Sequence, residues 1–372
     1  PSQASLRPAC PASQRLLLWT PAGGRTTFGA DGQPSGLDQR DLDRVREVMA
    51  QALAPSTAET YGAGLVAFHA FCDERGIAEE QRTPASATLM LAFLAALAGL
   101  YAGSTVANYF YGVRAWHLIH GVAWNMDDSA MQSMLKATAK LTPAASKRKK
   151  REPYTEDLIR AIRQQLVVDQ GFDAAVYACL TVAFYACARV GELTVRNRSS
   201  FEPGTHAKRA DLGLAVDRNG LRQQTLQLPR TKCAVGGEQI HWGQQDGITD
   251  PVAALANHLS VNSLDDDEHI FAYKARNGQV WPLTRKAFLD RIRAATKAAG
   301  RAPLQGHGIR IGGTLEYLLR GVPFEVVKTK GRWGSEAFLG YLRKHAEILA
   351  PYMQARPRLQ AEFIRYAMPP VR

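Results

Sequence analysis

The sequence predicts a mainly helical protein of two domains, with a small β-sheet in the second domain. Apolar residues recur every three to four positions through most of 38–140 and again over 155–196, which is the helical period. Between 213 and 243 this pattern breaks into short β-like segments. Two prolines and five consecutive basic residues in 141–153 predict a linker, because like charges repel and keep the chain extended. The second domain is therefore expected over 154–372, a length sufficient for its own core.

The amino-terminal part divides into an arm and a helical domain. Residues 1–37 are rich in Pro, Gly, Ser, Thr and Ala, and this composition predicts a flexible arm. Asp38 is expected to cap the first helix. Ser56, with Glu59 three residues later, has the spacing of a capping box for the next helix. Further helices are predicted over 87–101 and from Ser104 onward.

The second domain contains one predicted hairpin between helical stretches. Residues 226–228 and 239–242 are the expected strands, and Lys232 and a Gly-Gly turn lie between them. Helices resume at Pro251. The amphipathic stretch 358–368 either packs on its own domain or docks into a neighbouring molecule.

Composition favours a polyanionic partner. The chain has 46 Lys+Arg against 34 Asp+Glu, a formal charge of +12, and binding of phosphates by such side chains releases condensed counterions. The five cysteines are scattered without a CxxC pair, so buried reduced thiols in an intracellular protein are expected. Neither a confident membrane span nor a secretory signal is found. The acidic run 265–268 is expected to be a surface loop, and no metal or other cofactor is predicted.

Six side chains suited to phosphodiester chemistry follow one another in the second domain. A phosphodiester attacked by a phenol passes through a strongly anionic pentavalent state, whose oxygens two guanidiniums can bind bidentately. A phenol nucleophile stores the bond covalently, so rejoining needs neither ATP nor metal. The six residues are Arg189, Lys232, His307, Arg310, Trp333 and Tyr341.

This order of residues resembles the catalytic domain of the tyrosine recombinases of the phage-integrase type. The stretch 331–343 is most similar to the eukaryotic branch found in Crypton-type mobile elements. The resemblance extends over about residues 40–350, and the segment from Ser104 to His117 is similar to the DNA-facing helix of that family's core-binding domain.

The resemblance implies a role for each residue. Arg189 and Arg310 would bind the scissile phosphate, and Tyr341 would attack it to form a 3′-phosphotyrosyl bond. Lys232 would be the general acid, and His307 would help to move the tyrosine proton. Trp333 would donate its indole N–H to the phosphate, and Glu192 would orient Arg189 from behind. The residue-level alternatives are Arg230 or Lys208 as the acid, Tyr317 or Tyr352 as the nucleophile, packing for Trp333 and a surface position for Glu192.

Further basic and polar side chains are candidates for DNA contact. Each has the alternative of being a solvated charge, since phosphate contacts position a protein without specifying sequence. The run 147–151 is either a strap across DNA or a nuclear import signal, which predicts a nuclear location in a eukaryote and a cytoplasmic one otherwise. The candidates are Thr105, Arg114, His117, Lys147, Arg148, Lys149, Lys150, Arg151, Arg332 and Arg343.

The predicted function is site-specific recombination or transposition of a mobile element. The two domains would close as a C-shaped clamp on double-stranded DNA. The resemblance implies that four protomers, monomeric or dimeric without DNA, would assemble on two sites and exchange strands through a Holliday junction. Two alternatives are a relaxing enzyme of the type IB topoisomerase kind and a domesticated DNA-binding protein that no longer cuts.

Overall fold

The computed structural model of the chain forms two compact units, Pro1–Lys149 and Lys150–Arg372. The division falls inside the stretch 141–153, which is predicted to be a linker. Most of the chain is helical and a small antiparallel sheet lies in the second unit, which confirms the predicted fold class. The structure describes residues 5–28, 33–147, 150–231, 234, 236–334 and 336–349, without the side chains of 336, 337, 341 and 349.

The amino-terminal unit is a helical bundle built around one pair of helices. Its core is formed where α3 packs along α6, and Leu65 and Trp116 are almost completely buried there. Asp38 caps α2 as predicted, because its carboxylate accepts the N–H groups of Arg40 and Asp41. The helices are α1 (Arg15–Leu18), α2 (Gln39–Ala50), α3 (Pro55–Glu74), α4 (Glu79–Arg82), α5 (Ala87–Leu97), α6 (Gly103–His120) and α7 (Asp128–Lys140).

The start of α3 differs from the prediction. The helix begins at Pro55, and its N-cap is Ala54, which has no side-chain acceptor. Ser56 therefore lies inside the first turn instead of capping it. Proline is favoured at this position because its missing N–H would have no partner within the helix.

The predicted flexible arm is also wrong for the part of it that the structure describes. Leu16 and Trp19 lie in the core of the amino-terminal unit, with 2% and 6% of their surface exposed. The indole Nε1 of Trp116 donates to the carbonyl oxygen of Trp19 at 2.6 Å. The Pro- and Gly-rich composition of 1–37 predicts a flexible arm although the segment 16–19 is apolar. Burial of that apolar segment offsets the entropy that is lost when the chain is ordered.

The carboxy-terminal unit contains a buried central helix, a sheet and a helical end. The sheet has the order β1-β2-β3 with antiparallel neighbours, and it confirms the strands predicted within 213–243. The helices are α8 (Glu156–Arg163), α9 (Gly171–Tyr185), α10 (Pro251–Asn262), α11 (Arg285–Ala298), α12 (His307–Leu319), α13 (Phe324–Lys330) and α14 (His345–Leu349). The strands are β1 (Leu212–Val216), β2 (Arg222–Leu228), β3 (Glu238–Trp242), β4 (Tyr273–Lys274) and β5 (Val280–Trp281).

Close packing of α12 on α9 positions the candidate site. A Cβ atom on Gly312 would collide with the carbonyl oxygen of Tyr154, and one on Gly313 with that of Phe184. These two glycines let α12 lie directly against the end of α9. The first turn of α12, with His307 and Arg310, is thereby brought to the segment after α9 that carries Arg189. None of the helices in the described ranges combines the length and apolar character needed to cross a bilayer.

Candidate active site

Arg189 is held by a carboxylate that lies behind it. It precedes the short 3-10 helix Val190–Glu192, and Glu192 Oε1 accepts from Arg189 Nη1 at 2.7 Å while Oε2 accepts the Arg189 backbone N–H at 2.9 Å. The Glu192 side chain is only 7% exposed, which excludes the surface alternative. Burial raises the pKa of Glu192, but the charges and hydrogen bonds of Arg332 and Arg189 outweigh it and hold this pKa below its usual value. Glu192 is therefore an anion that fixes the direction of the Arg189 guanidinium.

His307 is the first residue of α12 and lies half-buried among arginines. Burial and then the charges of nearby guanidiniums lower its pKa to about 4, so the imidazole is neutral at pH 7. A neutral imidazole can accept a proton, and an incoming anion would offset the surrounding positive charge. The arginines that lower this pKa are, in decreasing order, Arg151, Arg310, Arg189 and Arg343.

Arg310 is buried and stacked on Trp333. It is 1% exposed, its guanidinium carbon lies 4.4 Å from the centroid of the indole ring, and Nη2 donates to the carbonyl oxygen of Gly331. The ring of Trp333 also packs on Phe338 at 5.1 Å between centroids. This arrangement favours packing as the role of Trp333, which supports Arg310 from one face. Contact between Arg310 and a phosphate requires the side chains that cover it to move.

Arg332 is placed differently from its predicted role as a DNA contact. Its side chain is 10% exposed, and its guanidinium binds Glu192 Oε2 at 2.6 Å and Glu238 Oε1 at 2.7 Å. A guanidinium occupied by two carboxylates is poorly disposed to bind a phosphate as well. Sequence reasoning missed this contact because Glu238 lies 94 residues away in the chain.

The predicted nucleophile and general acid cannot be placed by their side chains. Tyr341 ends the 3-10 helix Glu336–Tyr341, but its side chain lies outside the described residues. Lys232 also lies outside them, in the connection between β2 and β3. Both assignments remain predictions. The competing Tyr317 is engaged elsewhere: its hydroxyl donates to the carbonyl oxygen of Tyr185 at 2.8 Å, and burial raises its pKa. Tyr352 lies outside the described residues.

The predicted DNA contact at His117 is wrong. This side chain is fully buried, its Nε2 accepts the N–H of Ala85 at 3.0 Å, and its Nδ1 lies 2.8 Å from the carbonyl oxygen of Val113. Thr105 and Arg114 are nine residues apart, which places them on opposite sides of α6. Arg114 is exposed, whereas Thr105 lines a cleft of about 730 Å³. The three residues therefore do not form one DNA-facing surface.

The basic run and Arg343 have separate surroundings. Lys147, Lys150 and Arg151 are exposed, while Arg148 and Lys149 lie outside the described residues. Arg343 donates to the carbonyl oxygens of Arg151, Gly340 and Leu342 at 2.8–3.0 Å. Arg343 thus ties the chain next to Tyr341 to the start of the unit.

The carboxylates of the acidic run 265–268 do not converge on a common point where they could bind a metal ion. Asp265, Asp266 and Asp267 are exposed, and Glu268 accepts the backbone N–H of Asp265 at 2.9 Å. Nowhere in the described ranges do three or more His, Cys, Asp or Glu side chains come together in a way that could hold a metal ion.

The chain, a helical unit followed by a unit with a three-stranded sheet, has a fold similar to that of solved tyrosine recombinases. Among solved structures, the chain is similar to the XerH site-specific recombinase bound to its palindromic difH substrate in a post-cleavage complex. The two share 13% identity and a TM-score of 0.51, over 89% of this chain and 85% of that one. Similarity also extends to a lambda integrase dimer bound to a COC′ core site, with 15% identity and a TM-score of 0.42 over 81% of this chain and 93% of that one. No protein-family model matches the sequence. No curated protein matches it either.

Proposed function

We propose that this protein is a site-specific DNA recombinase that cleaves and rejoins strands through Tyr341. The observation that carries the proposal is the environment of His307, where burial and four guanidiniums keep a half-buried imidazole neutral. Positive groups that are already in place stabilise charge that develops in a transition state, and a phosphodiester under attack gains such charge. Arginine suits this task because its planar donors match the oxygens of a phosphate.

The proposed reaction needs only side chains of the carboxy-terminal unit. Arg189 and Arg310 bind the non-bridging oxygens, and the phenol oxygen of Tyr341 forms a bond to phosphorus while the bond to the 5′-oxygen breaks. His307 accepts the phenolic proton, and Lys232 gives a proton to the departing 5′-oxygen. The reverse steps rejoin the strand, because the phosphotyrosyl bond retains the energy of the original ester.

The wider biological role is inferred from the resemblance of the chain to the tyrosine recombinases. The fold is shared with XerH, a site-specific recombinase whose structure is that of a complex with its DNA substrate. We infer double-stranded DNA as the partner, with the exposed Lys147, Lys150 and Arg151 contacting its backbone. Assembly of four protomers through a Holliday junction, mobilisation of a Crypton-type element and a nuclear location in a eukaryotic host belong to the same proposal. The docking role of 358–368 concerns residues outside those described.

A covalent-trapping assay tests the proposal. The protein is incubated in EDTA with a nicked suicide duplex of candidate element-end sequence and analysed on a denaturing gel beside Tyr341→Phe. We expect a protease-sensitive DNA adduct for the native protein and none for the variant, which should still bind DNA. An adduct that persists in Tyr341→Phe would refute the nucleophile. Binding without any adduct would favour the non-cutting DNA-binding alternative, and relaxation of supercoils by a monomer without sequence preference would favour the topoisomerase alternative.

A further inference from the structure

The backbone at Arg332 is unfavourable for an arginine. Helix α13 ends at Lys330 with Gly331 as its C-cap, after which the N–H of Arg332 donates to Thr329 O at 2.9 Å and that of Trp333 to Lys328 O at 3.1 Å. These two bonds form a Schellman motif, whose first residue past the cap is usually glycine because it adopts positive φ. Arg332 has φ +59° there, in the left-handed region that is unfavourable for a residue with a Cβ atom. A side chain at this position needs a compensating contact.

The contact is a bridge between two carboxylates in a region of low exposure. Arg332 Nη2 binds Glu192 and Nη1 binds Glu238, whose side chains are 7% and 20% exposed. Removing the central cation from such a group leaves two partly buried anions, and Glu238 loses this ion pair altogether. Both carboxylates therefore depend on Arg332 to offset their charge.

Each end of the bridge belongs to a different part of the reaction centre. Glu192 orients Arg189, which is proposed to bind the phosphate. Glu238 is the first residue of β3 and pairs with Leu228, the last residue of β2. This pair closes the hairpin whose connection carries Lys232 in the sequence.

A second cation ties the same strand to the same segment. Lys330, two residues before Arg332, donates from Nζ to the carbonyl oxygen of His241 in β3 at 2.9 Å. Its ammonium lies 4.7 Å from the centroid of the Tyr317 ring, and burial lowers its pKa. The end of α13 therefore holds β3 at residues 238 and 241.

We propose that Arg332 is a positioning residue that fixes the β2–β3 hairpin relative to Arg189, so that the leaving oxygen is protonated where the phosphate is bound. The step concerned is cleavage of the bond between phosphorus and the 5′-oxygen, with a proton passing from the hairpin acid to that oxygen. This inference rests on the proposed function. It assigns Arg332 to positioning within the protein instead of to DNA.

Two substrates that differ in their leaving atom test this role. One duplex carries the normal 5′-oxygen at the scissile phosphate, and the other carries a bridging 5′-sulfur, which leaves as a thiolate without needing a proton. Glu238→Gln removes the negative charge only at the hairpin end of the bridge, and Arg332→Gly breaks both ends while relieving the backbone strain. We expect Glu238→Gln to slow single-turnover cleavage of the oxygen substrate about 10²-fold, in line with loss of general acid catalysis, and to cleave the sulfur substrate at nearly the native rate. Arg332→Gly should show a larger loss on oxygen than on sulfur.

The control is a partly buried ion pair of the same unit that lies on other helices. Arg291 in α11 binds Asp173 in α9 at 2.7 Å, so Arg291→Gln should lower the melting temperature without changing the ratio of the two cleavage rates. Equal slowing of both substrates by Glu238→Gln, or no slowing of either, would overturn the positioning role. If Arg332→Gly does not fold, Glu238→Gln alone decides. Failure of the native protein to form an adduct with either substrate would instead refute the proposed function.

Discussion

Two clusters, one in each unit, place a histidine among arginines, and they differ in charge balance and exposure. In the amino-terminal unit, Nδ1 of the fully buried His69 lies 3.3 Å from Nη1 of both Arg7 and Arg82. Both arginines are paired with carboxylates: Arg7 binds Glu79 at 2.6 Å, and Arg82 binds Asp73 at 2.7 Å and Glu79 at 3.2 Å. Burial and the two arginines lower the pKa of His69 to about 3. We describe this group as the His69 cluster.

The surroundings of His307 differ from those of His69 in charge and in exposure. After burial, the causes that lower its pKa are four arginines, whereas the causes for His69 include the opposing charge of Asp73. His307 is also only half-buried, while His69 is fully enclosed. Similar residues thus form a neutralised structural cluster in one unit and an accessible cationic site in the other. The balance of charge and the access to solvent, more than residue type, therefore separate the two clusters.

The largest effect on stability is expected in the His69 cluster. Arg82→Met should lower the free energy of unfolding of the amino-terminal unit by about 3–5 kcal/mol, because it removes a buried guanidinium that binds the carboxylates of Asp73 and Glu79 at 2.7 and 3.2 Å. Urea denaturation followed by tryptophan fluorescence measures this change. Arg44→Met is the control, since that side chain is 74% exposed and should change stability by about 0.5 kcal/mol at most. Equal effects of the two substitutions would contradict the comparison.

The corresponding change in the site should affect activity more than folding. Arg189→Met is expected to slow strand cleavage by at least about 10²–10³-fold, since it removes a preorganised guanidinium that is proposed to bind the phosphate. The fold should be retained because Glu192 keeps its 2.6 Å contact with Arg332. Single-turnover cleavage and thermal melting measure the two effects side by side. Lys286→Met is the control, because this side chain of the same unit is 86% exposed. If Arg189→Met cleaved DNA at the native rate, the proposed role of Arg189 would be ruled out.

The smallest effect is expected on the pH dependence of the free energy of unfolding, to which the two histidines contribute. His69 has a folded-state pKa of about 3 against an ordinary 6.5, so the unfolded chain binds the proton first and stability falls as the pH drops from 6.5 towards 3. Between pH 7 and pH 5 this amounts to about 2 kcal/mol, which His69→Gln should remove. The pKa of His307, about 4, would by itself give nearly the same change over this range, so His307→Gln should remove less only because solvent access to its partly exposed ring weakens the shift. Denaturation midpoints of both variants at the two pH values provide the measurement, and a larger effect from His307→Gln would reverse the comparison.

The sequence by itself determined the fold class, the strands within 213–243, the cap at Asp38 and the order of the candidate site residues. These features depend on local patterns, such as the helical repeat of apolar residues or a carboxylate placed before a helix. The chemistry of Arg189, His307 and Arg310 stays a prediction, which the resemblance of their order to that of the tyrosine recombinases implies. The structure then brought those three described residues to one place by packing α12 on α9.

Only the tertiary structure decided which side chains are enclosed and what they contact. His117 and Arg332 carry polar groups that suit DNA, yet one is enclosed in the helical core and the other bridges two carboxylates. Trp333 supports Arg310, and Leu16 and Trp19 of the predicted arm lie in a core. Their neighbours lie far away in the chain, as Glu238 does from Arg332. Burial and charge pairing are set by such distant contacts, which a local pattern of residues does not contain.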